Sequence, residues 1–331
     1  SQRLDLVARI GARIPTEILA AEIGTEVAGR FREEYSAGMA LSLVVEQVCR
    51  EVAEAGRDLG MPMIFLKGAA LQLYGRVAPG SRTMCDVDVL VSPTVAGRLQ
   101  EALLAAGCRA LDVPESEHQM QYLTHRTGLG VEVHLMVPGV RLEGDASVTA
   151  DQLLQAGMCR SLPSLPGSCF VPDDQVTLAH LLVHGIAQHG FAPDAYPLSR
   201  LLADVQDFGL DEVEWDAFFA EGAGWIQADV SREEVDAVRG LVERLNVGED
   251  PGAIAASGDE PGVLLRHLVA GVLDESYLQA MKFRSLAAKP VDVGRLRSVL
   301  KTVRNALWPA RAQIDILYGR PRSELGYLGW H

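Results

Sequence analysis

The run Cys85-Asp86-Val87-Asp88-Val89-Leu90-Val91 sets two carboxylates two positions apart inside a stretch of β-forming residues. On a strand, residues i and i+2 point to the same face, so Asp86 and Asp88 project side by side. Two carboxylates that close repel each other, and burying both costs free energy unless a cation neutralises them. Their neighbours are apolar, unlike the setting of a solvated charge. An oxygen-preferring divalent ion, Mg²⁺ or Mn²⁺, is the natural partner. The run Val131-Glu132-Val133-His134 repeats the pattern, with Glu132 among apolar strand residues and His134 on its face. Asp86, Asp88 and Glu132, converging from two neighbouring strands, could hold two metal ions for in-line phosphoryl chemistry. Spacing alone leaves open the plainer alternative of exposed acids on a sheet edge.

The rest of the chain says what carries these strands. Residues 3–59 are rich in Ala, Leu, Glu and Arg, with apolar positions at helical spacing (Leu41, Val44, Val45, Val48, Val52), and Pro15 falls where a second helix begins. Met63 to Leu66 reads as a short buried strand, Ala69 to Tyr74 as a helix, and residues 77–81 as a loop. A strand over 87–91 follows, then a helix capped by Thr94 and ending near Ala106. Gln119–His125 and Leu129–Val137 read as a hairpin turning at Thr127-Gly128. From about 140 onward no further strand is expected. Helices are predicted over 176–188, 199–208, 212–221, 233–246, 262–281, 293–307 and 311–317, with 247–261 as a mobile loop. The predicted class is α+β: a helical lead-in (1–60), a small α/β core (61–140) and a large helical domain (141–331).

Composition removes several function classes. With 30 Lys and Arg against 44 Asp and Glu, the net charge is −14, which disfavours nucleic acid and the anionic membrane leaflet as partners. The basic cluster Arg295, Arg297, Lys301 and Arg304 reads as a solvated helix face. No stretch of 18 apolar residues occurs and the first residues lack signal-peptide order, so a cytoplasmic location is expected. Five cysteines without a CxxC pair exclude a zinc ribbon or a thioredoxin-type motif, although Cys85 adjoins the acidic pair. GxxxxGK[ST], GxGxxG, GxSxG and HExxH are all absent.

Upstream of the acids, Phe65-Leu66-Lys67-Gly68-Ala69-Ala70-Leu71 reads as a strand ending in a glycine that opens a helix, a place where backbone can approach a phosphate. The order strand, glycine, helix, loop, DxD strand, third acidic strand resembles the DNA-polymerase-β-like nucleotidyltransferase superfamily. More closely, Lys67-Gly68 with Tyr74, then Arg82 before Asp86-Val-Asp88-Val-Leu-Val91, then Glu132-Val-His134, resembles a bacterial branch labelled uncharacterised nucleotidyltransferase. Leu178-Ala-His180-Leu-Leu-Val-His184 and Leu201-Leu-Ala-Asp204-Val also resemble that branch, and the ending Trp308-Pro309…Tyr318-Gly319 does so more faintly. The resemblance departs where Ala69, not Ser or Gly, follows Gly68, and where the third acid is Glu132 rather than Asp.

The resemblance implies a metal-dependent enzyme moving a nucleoside monophosphate from an NTP, with ATP the expected donor, and releasing pyrophosphate. Asp86, Asp88 and Glu132 would hold the metal, and Lys67, Gly68, Ala69 and Arg82 would meet the nucleotide. His134 would order a metal ligand or the triphosphate. His180 and His184, at i and i+4, and Asp204 are candidates for the acceptor site, with a zinc site at the two histidines the weaker alternative. The acidic balance points to a small-molecule or protein acceptor. Two other classes stay open: a catalytically silent interaction or antitoxin-like module, and a nucleotide-dependent kinase on the same scaffold.

Overall fold

Three helices open the chain, α1 (Arg3–Arg13), α2 (Thr16–Ile23) and α3 (Thr25–Asp58). Pro15 stands at the start of α2, where its fixed φ suits helix entry and its missing N–H costs nothing. The computed structural model describes residues 3–111, 116–142, 147–189, 196, 198–209, 213–219 and 226–273. They fall into two compact units, one running to Thr177 and one beginning at Leu178.

The first unit is built on a seven-stranded mixed sheet. Its elements are β1 (Met63–Phe65), α4 (Lys67–Leu73), β2 (Asp86–Leu90), α5 (Ala96–Ala105), β3 (Arg109–Ala110), β4 (Leu123–Thr124) and β5 (Gly130–His134). They continue with β6 (Val137–Leu142), β7 (Ser147–Val148), α6 (Ala150–Gln155), β8 (Cys159–Ser161) and β9 (Cys169–Pro172). The strand order is β3-β4-β5-β2-β1-β9-β8, with β2 parallel to β5 and antiparallel to β1. Parity sorts the two inner strands. Val87 and Val89 of β2 and Val131 and Val133 of β5 enter the core, with Phe65 and with Val45, Val48 and Val52 of α3. Asp86, Asp88, Glu132 and His134 therefore share the opposite face. Burial of the β-branched face in this way is the main stabilising term for the pair of strands.

Two contacts fix the loop that leads into β2. Gly38 of α3 approaches Gly80 so closely that a Cβ would lie 2.3 Å from the Gly80 carbonyl oxygen. Gly80 N–H donates to Ser42 Oγ at 2.8 Å, and Gln72 Nε2 donates to the Ser42 carbonyl at 3.0 Å. Just upstream, Arg76 donates to the Asp174 carboxylate, as does Arg160, which lies 4.8 Å over the Tyr74 ring. The loop is thereby pinned at Arg76 and Gly80, upstream of Arg82 and Asp86.

The hairpin joining β4 to β5 is tied to α3 by a clip. Glu51 accepts two bonds from Arg126, each at 2.6 Å, and lies 3.0 Å from the buried His125 ring. Partial burial raises the Glu51 carboxyl, but bonds from Gln47, Arg126 and His125 outweigh this and hold it down at about 2. A depressed folded-state value gives stability that is present above the ordinary carboxylate range and is lost as pH falls toward 2. Stability of the native protein should therefore fall more steeply between pH 5 and 2.5 than that of Glu51→Gln. Urea midpoints across that range test this, and parallel curves would refute it.

Several expectations are corrected by the fold. Strands do not stop near 140: β8 and β9 lie beyond it, and β9 pairs in parallel with β1 inside the sheet. Prolines and glycines around Cys169–Pro172 read as an irregular connection, and pairing with a strand about a hundred residues away overrode that local signal. Thr94 does not cap α5; Val95 occupies that position without a side-chain bond, and Thr94 Oγ1 lies 2.9 Å from Ser92 Oγ.

Helix α7 (Asp174–Leu182), whose first four residues belong to the first unit, passes into a π-helical turn, Val183–Gln188, and the second unit continues with α8 (Leu198–Phe208), α9 (Arg232–Asn246), α10 (Pro251–Ala256) and α11 (Glu260–Leu273). The helix expected over 212–221 is a short 3₁₀ turn, Trp215–Phe219, within the residues described. The loop expected over 247–261 contains α10, capped by Asp250, whose side chain accepts from Ala253 N–H. The helices expected at 293–307 and 311–317 and the 295–304 basic cluster lie outside the described residues.

Candidate active site

The acidic centre rests on strand register. In the parallel pair β2–β5, Asp88 is the direct neighbour of Glu132 and Asp86 that of Gly130. Adjacent parallel strands lie about 4.8 Å apart, so two acids in register on one face must be reconciled electrostatically. The fold brings two nitrogens to them. Lys67 Nζ donates to Asp88 Oδ1 at 2.6 Å and lies 4.0 Å from Glu132 Oε2. His134 Nε2 lies 2.8 Å from the same Asp88 oxygen and 3.3 Å from Glu132 Oε2. Asp88 and His134 are buried, and the Lys67 and Glu132 side chains are only 14% and 15% exposed, so solvent screens these pairs little.

The charges follow from this geometry. Burial pushes the Asp88 carboxyl up, but Lys67 and the His134 hydrogen bond outweigh it and hold the group well below its ordinary value. Burial lowers Lys67, yet Asp88, Glu132 and Asp86 together keep its ammonium protonated above the usual range. His134 behaves alike: burial disfavours the imidazolium, and hydrogen bonds to Asp88 and Glu132 raise its value. Asp86 goes the other way, pushed up to about 6 by burial and then by Asp88 and Glu132. The Cys85 thiol makes a weak hydrogen bond to it, 3.7 Å from Oδ2.

Position 67 also carries the backbone anomaly of the site. Lys67 has φ +47°, the sole non-glycine in the left-handed region among the described residues. The left-handed conformation thus falls one residue before Gly68. Gly68 is needed for space instead, because a Cβ there would lie 2.2 Å from Arg82 Nη1 and 2.8 Å from Met84 Sδ. The buried Arg82 guanidinium packs on that glycine and exerts a lowering influence on Asp86.

The sequence-derived candidates therefore separate into groups. Asp88, Glu132, His134 and Lys67 meet directly. Asp86 and Arg82 adjoin them, and Gly68 supports Arg82. Ala69, expected at the nucleotide, turns its side chain into the core with Ala70. Lys67, expected on a triphosphate, has its ammonium on the acids. His180, His184 and Asp204 form a separate cluster in the second unit. There Tyr196 Oη donates to Asp204 Oδ2 at 2.5 Å, and the His184 ring stands 5.0 Å from Tyr196 and 6.0 Å from His180. Two neighbours carried no sequence signal: His118 stacks on His134 with ring centroids 6.0 Å apart, and Tyr122 places its hydroxyl over Gly130 beside Asp86.

The donor chemistry fits a divalent metal. Asp88, Glu132 and His134 offer ligand atoms all within 4.8 Å of one another, and among the described residues they form the one group of this kind. Two carboxylates and an imidazole, with Asp86 alongside, suit an ion that accepts mostly oxygen ligands. By the same measure, no third histidine, cysteine, aspartate or glutamate among the described residues completes a metal group at His180 and His184.

Among known proteins, a family model described as an uncharacterised nucleotidyltransferase matches residues 1–225. No curated protein and no solved structure matches. No helix among the described residues is long and apolar enough to cross a membrane.

Proposed function

The chain belongs to the uncharacterised nucleotidyltransferase family, and on that premise we propose that it is a metal-dependent enzyme moving a nucleoside monophosphate from an NTP, ATP first among them, to a small-molecule or protein acceptor. The observation that carries this reading is the register of Asp88 and Glu132 on parallel strands, buried on the face opposite the core and shared by the Lys67 and His134 nitrogens. Burying that much charge without a ligand to act on would be a poor use of the fold.

Asp86 and Asp88, with Glu132 and His134 alongside, would hold Mg²⁺ or Mn²⁺. When bound, the ion would offset negative charge on the α-phosphate as it develops. Glu132 is the accessible acid of the bonded cluster and would take the proton from the acceptor hydroxyl or amine. The freed lone pair forms a bond to the α-phosphorus, the bond from that phosphorus to the bridging oxygen breaks, and pyrophosphate leaves with the electron pair. Arg82 would offset the charge of the departing phosphates. Positioning and charge neutralisation supply most of the rate in such transfers. The net charge of −14 favours an acceptor other than nucleic acid.

The test incubates the protein with each labelled NTP, Mg²⁺ or Mn²⁺ and a metabolite extract, following pyrophosphate and labelled products. Stoichiometric pyrophosphate and an NMP-tagged product are expected. A nucleoside diphosphate in its place would make the protein a kinase. No nucleotide binding at all would leave a silent module.

A further inference from the structure

We propose that Lys67 occupies the place of one of the two divalent ions that a two-metal nucleotidyl-transfer centre would hold, so that this chain binds a single ion per nucleotide. The inference rests on the proposed function and concerns how the same site balances its charge. In two-metal centres, ions roughly 3.5–4 Å apart share bridging carboxylates. Here the shared position between Asp88 and Glu132 is filled by an ammonium, 2.6 Å from Asp88 Oδ1 and 4.0 Å from Glu132 Oε2. His134 Nε2 adds a second nitrogen to the same Asp88 oxygen at 2.8 Å. An ion entering there would have to expel a nearly buried cation from two carboxylates at once.

The backbone points the same way. A flexible surface lysine would have no reason to sit at φ +47°, a conformation that a glycine adopts without strain. Lysine at this position accepts that strain, and in return the fold delivers its ammonium to the acids from the first residue of α4. Asp86 is treated differently. Its hydrogen bond is a weak one, from the Cys85 thiol at 3.7 Å from Oδ2. The acids are thus unequal: Asp88 Oδ1 and Glu132 Oε2 already face built-in nitrogens, and a single ion is left to Asp86, two residues earlier on the same strand face, together with the second Asp88 oxygen.

The test counts ions. Full-length protein is titrated with Mn²⁺ in the presence of each α,β-methylene nucleoside triphosphate in turn, and bound Mn²⁺ per bound nucleotide is read by electron paramagnetic resonance. One ion is expected for the native chain. Lys67→Met keeps the side-chain length and backbone demand but removes the charge, and should bind two. Lys67→Gly, which also relieves the backbone, should do the same, so the comparison survives misfolding of either variant. Two ions in the native protein, or one in both variants with nucleotide still bound, would overturn the proposal alone. A folded native chain that binds neither nucleotide nor Mn²⁺ would overturn it together with the proposed function.

Discussion

Asp88→Asn should reduce nucleotidyl transfer by about 10³-fold or more, because the charge that organises the whole cluster disappears. Asp88 Oδ1 is the common acceptor for Lys67 and His134. An asparagine there still accepts a hydrogen bond but carries no charge, so the buried Lys67 ammonium and the His134 ring are left facing one another across a neutral amide. Breaking a buried ion pair by removing one partner costs about 3–5 kcal/mol, and here Glu132 and Asp86 recover part of that. The variant should therefore fold with a lower urea midpoint while its transfer activity is nearly absent. Initial rates of pyrophosphate release, with denaturation curves on the same preparation, measure both effects. A variant that keeps activity within tenfold of the native protein would remove Asp88 from the chemistry.

Gly68→Val should lower NTP affinity by about 100-fold, or about 2.8 kcal/mol at 1.4 kcal/mol per tenfold. A Cβ at this position would meet Arg82 Nη1 at 2.2 Å and Met84 Sδ at 2.8 Å, and valine adds two methyl groups beyond that. Both neighbours are flexible side-chain ends, so the overlap is relieved by pushing the guanidinium away from the acids rather than by breaking the sheet. Overpacking of this kind typically costs about 1–3 kcal/mol of stability, which a fold of this size can absorb. Gly68→Ala should show a smaller loss of the same sign. Calorimetric titration with a non-hydrolysable nucleotide decides the matter: undiminished affinity in Gly68→Val would leave Arg82 without a role at the phosphates.

Much of the arrangement was legible because strand geometry has a strict period of two. Alternation of Asp and Val over 86–89, and of Val with Glu and His over 131–134, is enough to put four polar side chains on one face of two strands. The long helix α3 was legible for a similar reason, its buried Val45, Val48 and Val52 recurring at helical spacing. What failed were inferences from local composition alone. Thr94 looked like a cap, residues 247–261 looked like a loop, and Cys169–Pro172 looked like a connection, because each lies in turn-forming surroundings whose outcome depends on distant partners.

Local periodicity therefore determined which residues could stand together: the acids and His134 on one sheet face, the valines on the other, and a helix laid across the apolar side. Tertiary structure alone decided which of them touch. That β2 and β5 run parallel in the register Asp88 to Glu132, that β9 enters beside β1, and that Lys67 spends its charge on Asp88 are consequences of chain pairing across about 21 to 110 residues of sequence. The physical reason is range. Side-chain parity is set by bonds between neighbouring residues, whereas a charge finds its partner only after the whole sheet has closed and water has left the site.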